Sequence, residues 1–301
     1  MAQSLRQITI IGTGLIGGSL GLALRKNGFR GKIVGCDRGG IPARARRMGA
    51  IHTAVADPVA ACEGSDLVVL ATPVAGIIEL IGKLAPRLGP DALVTDVGST
   101  KAEVVLRAHR AFGSRASRQF LPGHPMAGKE RSGIAFADPD LFRGAVWFFT
   151  PLANQDLHSG RAADFIKLVR RIGARVETLA PAGHDQLCAW ISHVPQMLST
   201  ALASALIEEY GENAPLLECG GRALREMTRI AASPYSMWRD IAITNRKEIA
   251  AALLKLEQKL AHIRENLDTR ELEREFESAH KLKNHSPRRR RGASPPRINA
   301  D

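Results

Sequence analysis

The sequence predicts an α/β chain in which a doubly wound, mostly parallel sheet is followed by an all-α C-terminal domain. Three observations predict it. Short apolar runs alternate with helical patterns from Ile8 to Leu179, strand signals fade after Pro181, and long helical patterns fill residues 183–280. At 301 residues the chain exceeds the usual size of one core, so two domains are expected. Their boundaries read as 1–180 and 181–285, with a basic tail at 286–301.

Taken in order, residues 8–11 (ITII) read as a strand that stops at Gly12. A helical pattern with Leu15, Ile16, Leu20, Leu22 and Leu24 follows and closes at Asn27-Gly28. Lys32 to Cys36 is a second strand, ending at Asp37. Leu67 to Ala71 (LVVLA) has the continuous apolar character of a buried parallel strand. Residues 75–88 read as helix, 92–97 as strand, 100–112 as helix and 120–121 as a strand end. A loop is expected over 122–144, then strands at 146–150 and 175–179 with a helix over 161–172 between them. The C-terminal helical patterns run over 183–209, 213–231, 235–243 and 245–280, with Pro215 and Pro234 near two starts. Small residues such as Ala201, Ala203, Ala205, Ala250, Ala251 and Ala252 allow close helix packing, and a homodimer through this domain is expected.

Composition excludes several classes. No run approaches the ~20 apolar residues that span a membrane, and Met1 to Gln7 has no secretory pattern. Cys36, Cys62, Cys188 and Cys219 are scattered without a C-x-x-C pair. That argues against a zinc site or a disulfide framework and fits a reducing cytoplasm. The formal charge is +12, of which the tail, with five arginines and one aspartate, holds +4. Pro287, Arg288 to Arg291, Gly292, Ser294, Pro295 and Pro296 read as a disordered basic segment; its contact with nucleic acid or anionic lipid stays open. The remaining positive excess has no interleaved aromatics for base stacking, but its field would draw an anionic substrate and cofactor.

Gly12-Thr13-Gly14-Leu15-Ile16-Gly17 matches G-x-G-x-x-G between a strand and a helix, and Asp37 follows Gly17 by 20 residues at the end of the next strand. The βαβ unit is thus Rossmann-type. Gly12 makes the tight turn, Gly14 lets the backbone approach a pyrophosphate, and Gly17 lets helix and sheet pack closely. The backbone at Leu15 and Ile16 opens the helix, whose free N–H groups suit phosphate. Asp37 would accept from ribose hydroxyls and favours NAD, whereas a guanidinium at Arg38 keeps NADP open. Thr72, Pro73 and Val74 follow another strand end, where open α/β sheets bind ligands, and should lie over the cofactor.

Two more loops fall at predicted strand ends, Asp96-Val97-Gly98-Ser99-Thr100-Lys101 and Pro122-Gly123-His124-Pro125-Met126-Ala127-Gly128. His124, between Gly123 and Pro125, sits on a stiff backbone and is the candidate catalytic histidine. In sequence order, GTGLIGGS, DVGSTK, GHPMAGKERSG, ISHVPQ and WRDIAITN resemble the prephenate/arogenate dehydrogenase family, over roughly Ile8 to Leu267. The resemblance implies oxidation of a cyclohexadienol by hydride transfer to a nicotinamide, with loss of the ring carboxylate as CO2. Aromatisation drives such a reaction, so neither a metal nor a covalent intermediate is required. By the resemblance His124 takes the ring hydroxyl proton, Ser99 holds that imidazole and touches substrate, and Arg239 anchors a carboxylate. An arginine paired with Asp240 is the alternative reading of Arg239. Pro195 should kink the helix beside His193 and turn that histidine to the substrate pocket, the alternative being a core histidine. Relatives often carry a histidine where this chain has Gln196, so the choice between a keto and an amino acid substrate stays open. Two rival readings remain. Another dehydrogenase of this architecture would rely on a helical-domain lysine, of which Lys247, Lys255 and Lys259 lack a site signature. A nucleic-acid-binding regulator using Arg288 to Arg291 would leave His124, Ser99 and Arg239 without purpose.

Overall fold

A computed structural model of the chain describes residues 5–129, 131–212 and 219–285. The described chain opens with β1 (Gln7–Ile11), α1 (Leu15–Lys26), β2 (Lys32–Cys36), α2 (Ile41–Arg47), β3 (Thr53–Ala54) and α3 (Pro58–Ala61). It continues through β4 (Leu67–Leu70), α4 (Val74–Leu84), β5 (Leu93–Asp96), α5 (Ala102–Phe112), α6 (Ala116–Gln119) and β6 (Phe120–Leu121). These strands form one parallel sheet in the order β3-β2-β1-β4-β5-β6. Alternation along each strand feeds two cores. Ile8, Ile10, Leu67 and Val69 pack with Leu20 and Leu24 of α1 on one face. Ile11, Val68, Leu70 and Val94 pack with Ile77 and Ile81 of α4 and Val104 of α5 on the other. Thr9, on the second face, is satisfied by donating to the Ala61 carbonyl at 2.7 Å. The sheet is thus doubly wound, as expected. Its order reverses between β1 and β4, the point where such sheets open a ligand crevice.

A second sheet departs from expectation. Residues 122–144 read as a loop, yet Gly123–Pro125 forms β7, which pairs antiparallel with β8 (Val146–Phe149), His124 opposite Phe148. β9 (Arg175–Thr178) runs parallel to β8, and α7 (Gly160–Arg171) lies between them in the chain. Trp147, Phe149, Phe142 and Phe165 meet ring to ring with centroids 5.2 to 6.3 Å apart. These buried rings form part of the core packed against this sheet.

After β9 the chain is helical: α8 (Pro181–Cys188), a π-type turn over Ala189–His193, α9 (Val194–Tyr210), α10 (Gly221–Thr228), a 3₁₀ turn over Arg229–Ala232 and α11 (Tyr235–Thr244). Pro195 offers no N–H to the helix, and the wider turn just before α9 is the distortion expected there. The described chain ends with α12 (Arg246–Glu265) and α13 (Arg270–His285), where one helix was expected over 245–280. The break falls at 266–269, and Thr269 Oγ1 accepts the Glu271 N–H at 3.2 Å to start α13. The chain divides into two compact units between Ile249 and Ala250. In the second, Lys259 and Glu275 pair at 2.8 Å. Among the described residues no helix is long and apolar enough to cross a membrane. The expected helix start at Pro215 and the tail from 286, with Arg288 to Arg291, lie outside the described residues.

Candidate active site

The glycine turn is built as its spacing requires. Gly12 adopts φ +95°, and a Cβ there would stand 2.4 Å from the Ala71 carbonyl oxygen, so β1 and β4 end almost in contact. A Cβ on Gly17 would meet the Gly12 carbonyl at 1.9 Å, whereas one on Gly14 would meet nothing within 4 Å. The space over Gly14 is therefore open. No side chain caps α1 and its first turn holds no acid, so its N–H groups face that space free to bind an anion. The residues present fit a dinucleotide pyrophosphate.

A cavity of about 590 Å³ opens there. Gly14, Leu15 and Ile16 line it from α1, and Thr72, Pro73 and Val74 line it from the end of β4. Ser99 and His124 face the same space, as do Ser192, Trp238 and Ile241 from the helical region. Gly12, Gly17, Asp37 and Arg38 stand outside this lining. Asp37 braces the turn instead: its Oδ2 accepts the Thr13 N–H and its Oδ1 the Arg38 N–H, both at 2.7 Å.

His124 is 7 % exposed, and its Nδ1 lies 2.9 Å from His184 Nε2. His184 Nδ1 in turn lies 2.8 Å from Asp185 Oδ1. That carboxylate also accepts the peptide N–H groups of Lys101 at 2.7 Å and Ala102 at 2.8 Å. An acceptor so placed makes His184 Nδ1 the donor. Burial, opposed by Asp185, lowers the His184 pKa, so the ring is neutral and its Nε2 is a bare acceptor. His124 then donates from Nδ1. Burial, with the charges of His184 and Lys101, holds His124 well below the ordinary histidine range. Its remaining nitrogen, Nε2, is therefore an unprotonated acceptor for the cavity that the ring lines. The resemblance implies Ser99 as the support of this imidazole; in the structure the hydrogen bond at Nδ1 goes to His184, and Ser99 lines the cavity.

Beneath the site Lys101, fully buried, pairs with Asp96 and donates to the Gly123 carbonyl at 2.8 Å. Asp96 accepts the N–H groups of Gly98 at 2.8 Å and Gly123 at 3.2 Å. This ion pair ties the loop carrying Ser99 to the strand carrying His124. Burial pushes the Asp96 carboxyl up against the pull of Lys101.

Three predicted substrate residues fall elsewhere. His193 is fully buried with Nδ1 3.1 Å from Asn245 Nδ2, while its neighbour Ser192 lines the cavity. Ser192 and His193 are successive residues of the π-type turn, so their side chains leave in different directions, Ser192 to the cavity and His193 inward. Burial lowers the His193 pKa to about 4, and its Nε2 has no partner among the described residues. Gln196 is buried and donates to the Ile230 carbonyl at 2.9 Å and to Thr200 at 3.2 Å, satisfying a backbone acceptor and not the pocket. Arg239 grips Asp240 Oδ1 through Nη2 at 3.0 Å and Nε at 3.2 Å, outside the cavity lining. Asp240 Oδ2 meanwhile accepts the Ala75 N–H at 3.1 Å, fixing α11 to the start of α4. The cations that do line the cavity are Lys129 and Arg131, which sequence reasoning did not single out. Their signal was present, a K-x-R pair just beyond the His124 strand.

A crevice between the carboxyl ends of β1 and β4, floored by the free start of α1, defines the Rossmann-type dinucleotide-binding class. Comparison with known proteins narrows the class. Residues 20–178 match the family model for the prephenate dehydrogenase nucleotide-binding domain, and residues 180–281 that for its dimerization domain. The chain belongs to the prephenate dehydrogenase family. It is 34 % identical to the prephenate dehydrogenase of Bacillus subtilis over 305 residues, covering 98 % of this chain and 80 % of that one. Among solved structures it resembles A. aeolicus prephenate dehydrogenase in complex with hydroxyphenyl propionate and NAD+. That match has 32 % identity and a TM-score of 0.83, over 94 % of this chain and 99 % of the other. Synechocystis arogenate dehydrogenase is similar at 28 % identity and TM-score 0.75, over 92 % and 99 %.

Proposed function

We propose that this chain oxidises prephenate or arogenate, releasing the ring carboxylate as CO2 and leaving an aromatic ring. The observation that carries the proposal is the bare His124 Nε2 facing the cavity that also receives the start of α1. A bound nicotinamide cofactor would supply the hydride acceptor. His124 Nε2 takes the proton of the ring hydroxyl as the carbon beneath it is oxidised, and His184 and Asp185 keep that nitrogen free to do so. Ser99 hydrogen-bonds the same hydroxyl region from the opposite loop. The apolar wall of Ile16, Val74, Trp238 and Ile241 excludes water around the ring.

Lys129 and Arg131 attract the substrate carboxylates at the cavity wall. Arg239 joins them only by leaving Asp240, an exchange of one carboxylate for another across its planar fork. NAD is the preferred cofactor, because a carboxylate at the end of β2 repels a 2′-phosphate; Arg38 supports NADP as the second choice. Residues 1–180 bind the dinucleotide and 181–285 complete the substrate pocket and pair two copies in a homodimer. The dimer reading is supported by the name of the matched C-terminal model and by Tyr235 and Ile243, 77 % and 68 % exposed on α11. Product stoichiometry tests the reaction: one CO2 and one reduced nicotinamide should appear for each substrate consumed. Reduced cofactor without CO2 would refute oxidative decarboxylation.

A further inference from the structure

Cys188 has no part in the reaction above, yet it is packed against both histidines that do. Its Sγ lies 3.4 Å from His184 Nε2 and 4.0 Å from His124 Nδ1, and those nitrogens are 2.9 Å apart. Zinc bound tetrahedrally, with bonds of about 2.0 Å to nitrogen and 2.3 Å to sulfur, holds its ligand atoms roughly 3.3 to 3.6 Å apart. Each observed separation is within about 0.5 Å of that arrangement. All three residues are buried, and their ligand atoms all lie within 4.8 Å of one another.

We propose that His124, His184 and Cys188 form an inhibitory site for a thiophilic divalent cation such as zinc or cadmium. The binding site stands on geometry alone; the inhibition rests on the reading of His124 as the base. The outer shell is already built. Asp185 accepts a hydrogen bond from His184 Nδ1–H, which leaves the Nε2 lone pair for the cluster, and is itself fixed by two peptide N–H groups. Carboxylate-oriented imidazoles of this kind are the usual support of metal-ligating histidines. Two imidazoles and a thiolate select zinc or cadmium over magnesium or calcium. Of the three ligands His124 lines the cavity, and His184 and Cys188 are fully buried beside it. Lys101 is the opposing charge nearby, held by Asp96 and the Gly123 carbonyl.

Binding changes the base. Cys188 loses its thiol proton to solvent and becomes the thiolate ligand. His124 gives up its Nδ1 proton to bind the cation and stays neutral by carrying a proton on Nε2 instead. One proton is released per cation bound. The nitrogen facing the cavity is thereby converted from acceptor to donor and can no longer take the substrate proton.

Cadmium titration of the full chain, read by the cadmium–thiolate charge-transfer absorption, tests the site, with turnover measured in parallel. One saturating band per chain is expected, together with inhibition that a chelator reverses. Cys188→Ser and Cys188→Ala should lose the band and become at least about tenfold less sensitive to inhibition, the scale of a damaged metal site. Replacing Cys36, Cys62 or Cys219 should leave both readouts intact. A band that survives in either Cys188 variant, or that disappears with Cys219→Ser, overturns the site. A Cys188-dependent band with turnover unaffected overturns the inhibition and, with it, the role of His124 as base, while leaving the metal site standing.

Discussion

In the proposed reaction His124 would be readied by two neighbours outside the cavity lining, His184 and Asp185. Asp185 accepts from His184 Nδ1–H and His184 Nε2 accepts from His124 Nδ1–H, so the nitrogen at the cavity is bare whenever the rings are neutral. Replacing His124 by asparagine should lower turnover about a hundredfold or more, the usual scale for a general base, while cofactor binding survives. Near-normal turnover in that variant would remove the base from the account. Arg239→Ala should mainly raise the apparent substrate constant, because the guanidinium must trade Asp240 for a substrate carboxylate; an effect confined to turnover would show that it anchors nothing. His124 is singled out in sequence because Pro125 restricts its backbone and the loop follows a predicted strand end. His184 is not, since it stands 60 residues away on a helix and acquires its role only by tertiary apposition. His193 and Gln196 are legible as a motif, but the structure buries both outside the cavity lining, beside and after the π-type turn over Ala189–His193.

Elements set the frame that holds those residues. Asp66, just before β4, accepts the Arg6 and Gln7 N–H groups at 2.7 and 2.9 Å and pairs with Arg161 of α7 at 2.7 Å. Burial pushes its carboxyl up, but those donors outweigh it and hold the pKa below the usual carboxylate value. A depressed native value means that this contribution to stability is full above the unfolded-state pKa, near 3.9, and is lost as pH falls through the native one. Asp66→Asn should therefore unfold more easily than the parent at neutral pH, with the difference shrinking in acid. A difference that grows in acid would contradict the assignment. Long apolar strands and helices were readable from periodicity. β3 and β7 were not, because two or three residues cannot establish a period; their pairing partners define them. The break between α12 and α13 was readable in principle, since Thr269 is a capping residue before an acidic turn.

At the scale of the molecule, +4 of the charge of +12 lies in a tail beyond the family match, and the other +8 is spread over the rest of the chain. The matched ranges end at residue 281, and the basic tail begins at 286. Removing residues 286–301 should leave turnover unchanged at moderate ionic strength. A loss of turnover on removal would place the tail in the catalytic account. The central claim is that the cavity at the end of β1 and β4 converts a cyclohexadienol carboxylate, and the most direct measurement is the appearance of reduced nicotinamide with purified protein. Prephenate and arogenate should each be paired with NAD and with NADP. Turnover is expected with at least one substrate, faster with NAD than with NADP. Silence in all four combinations, with cofactor binding intact by titration, would contradict it and assign the cavity to a different oxidation on the same scaffold.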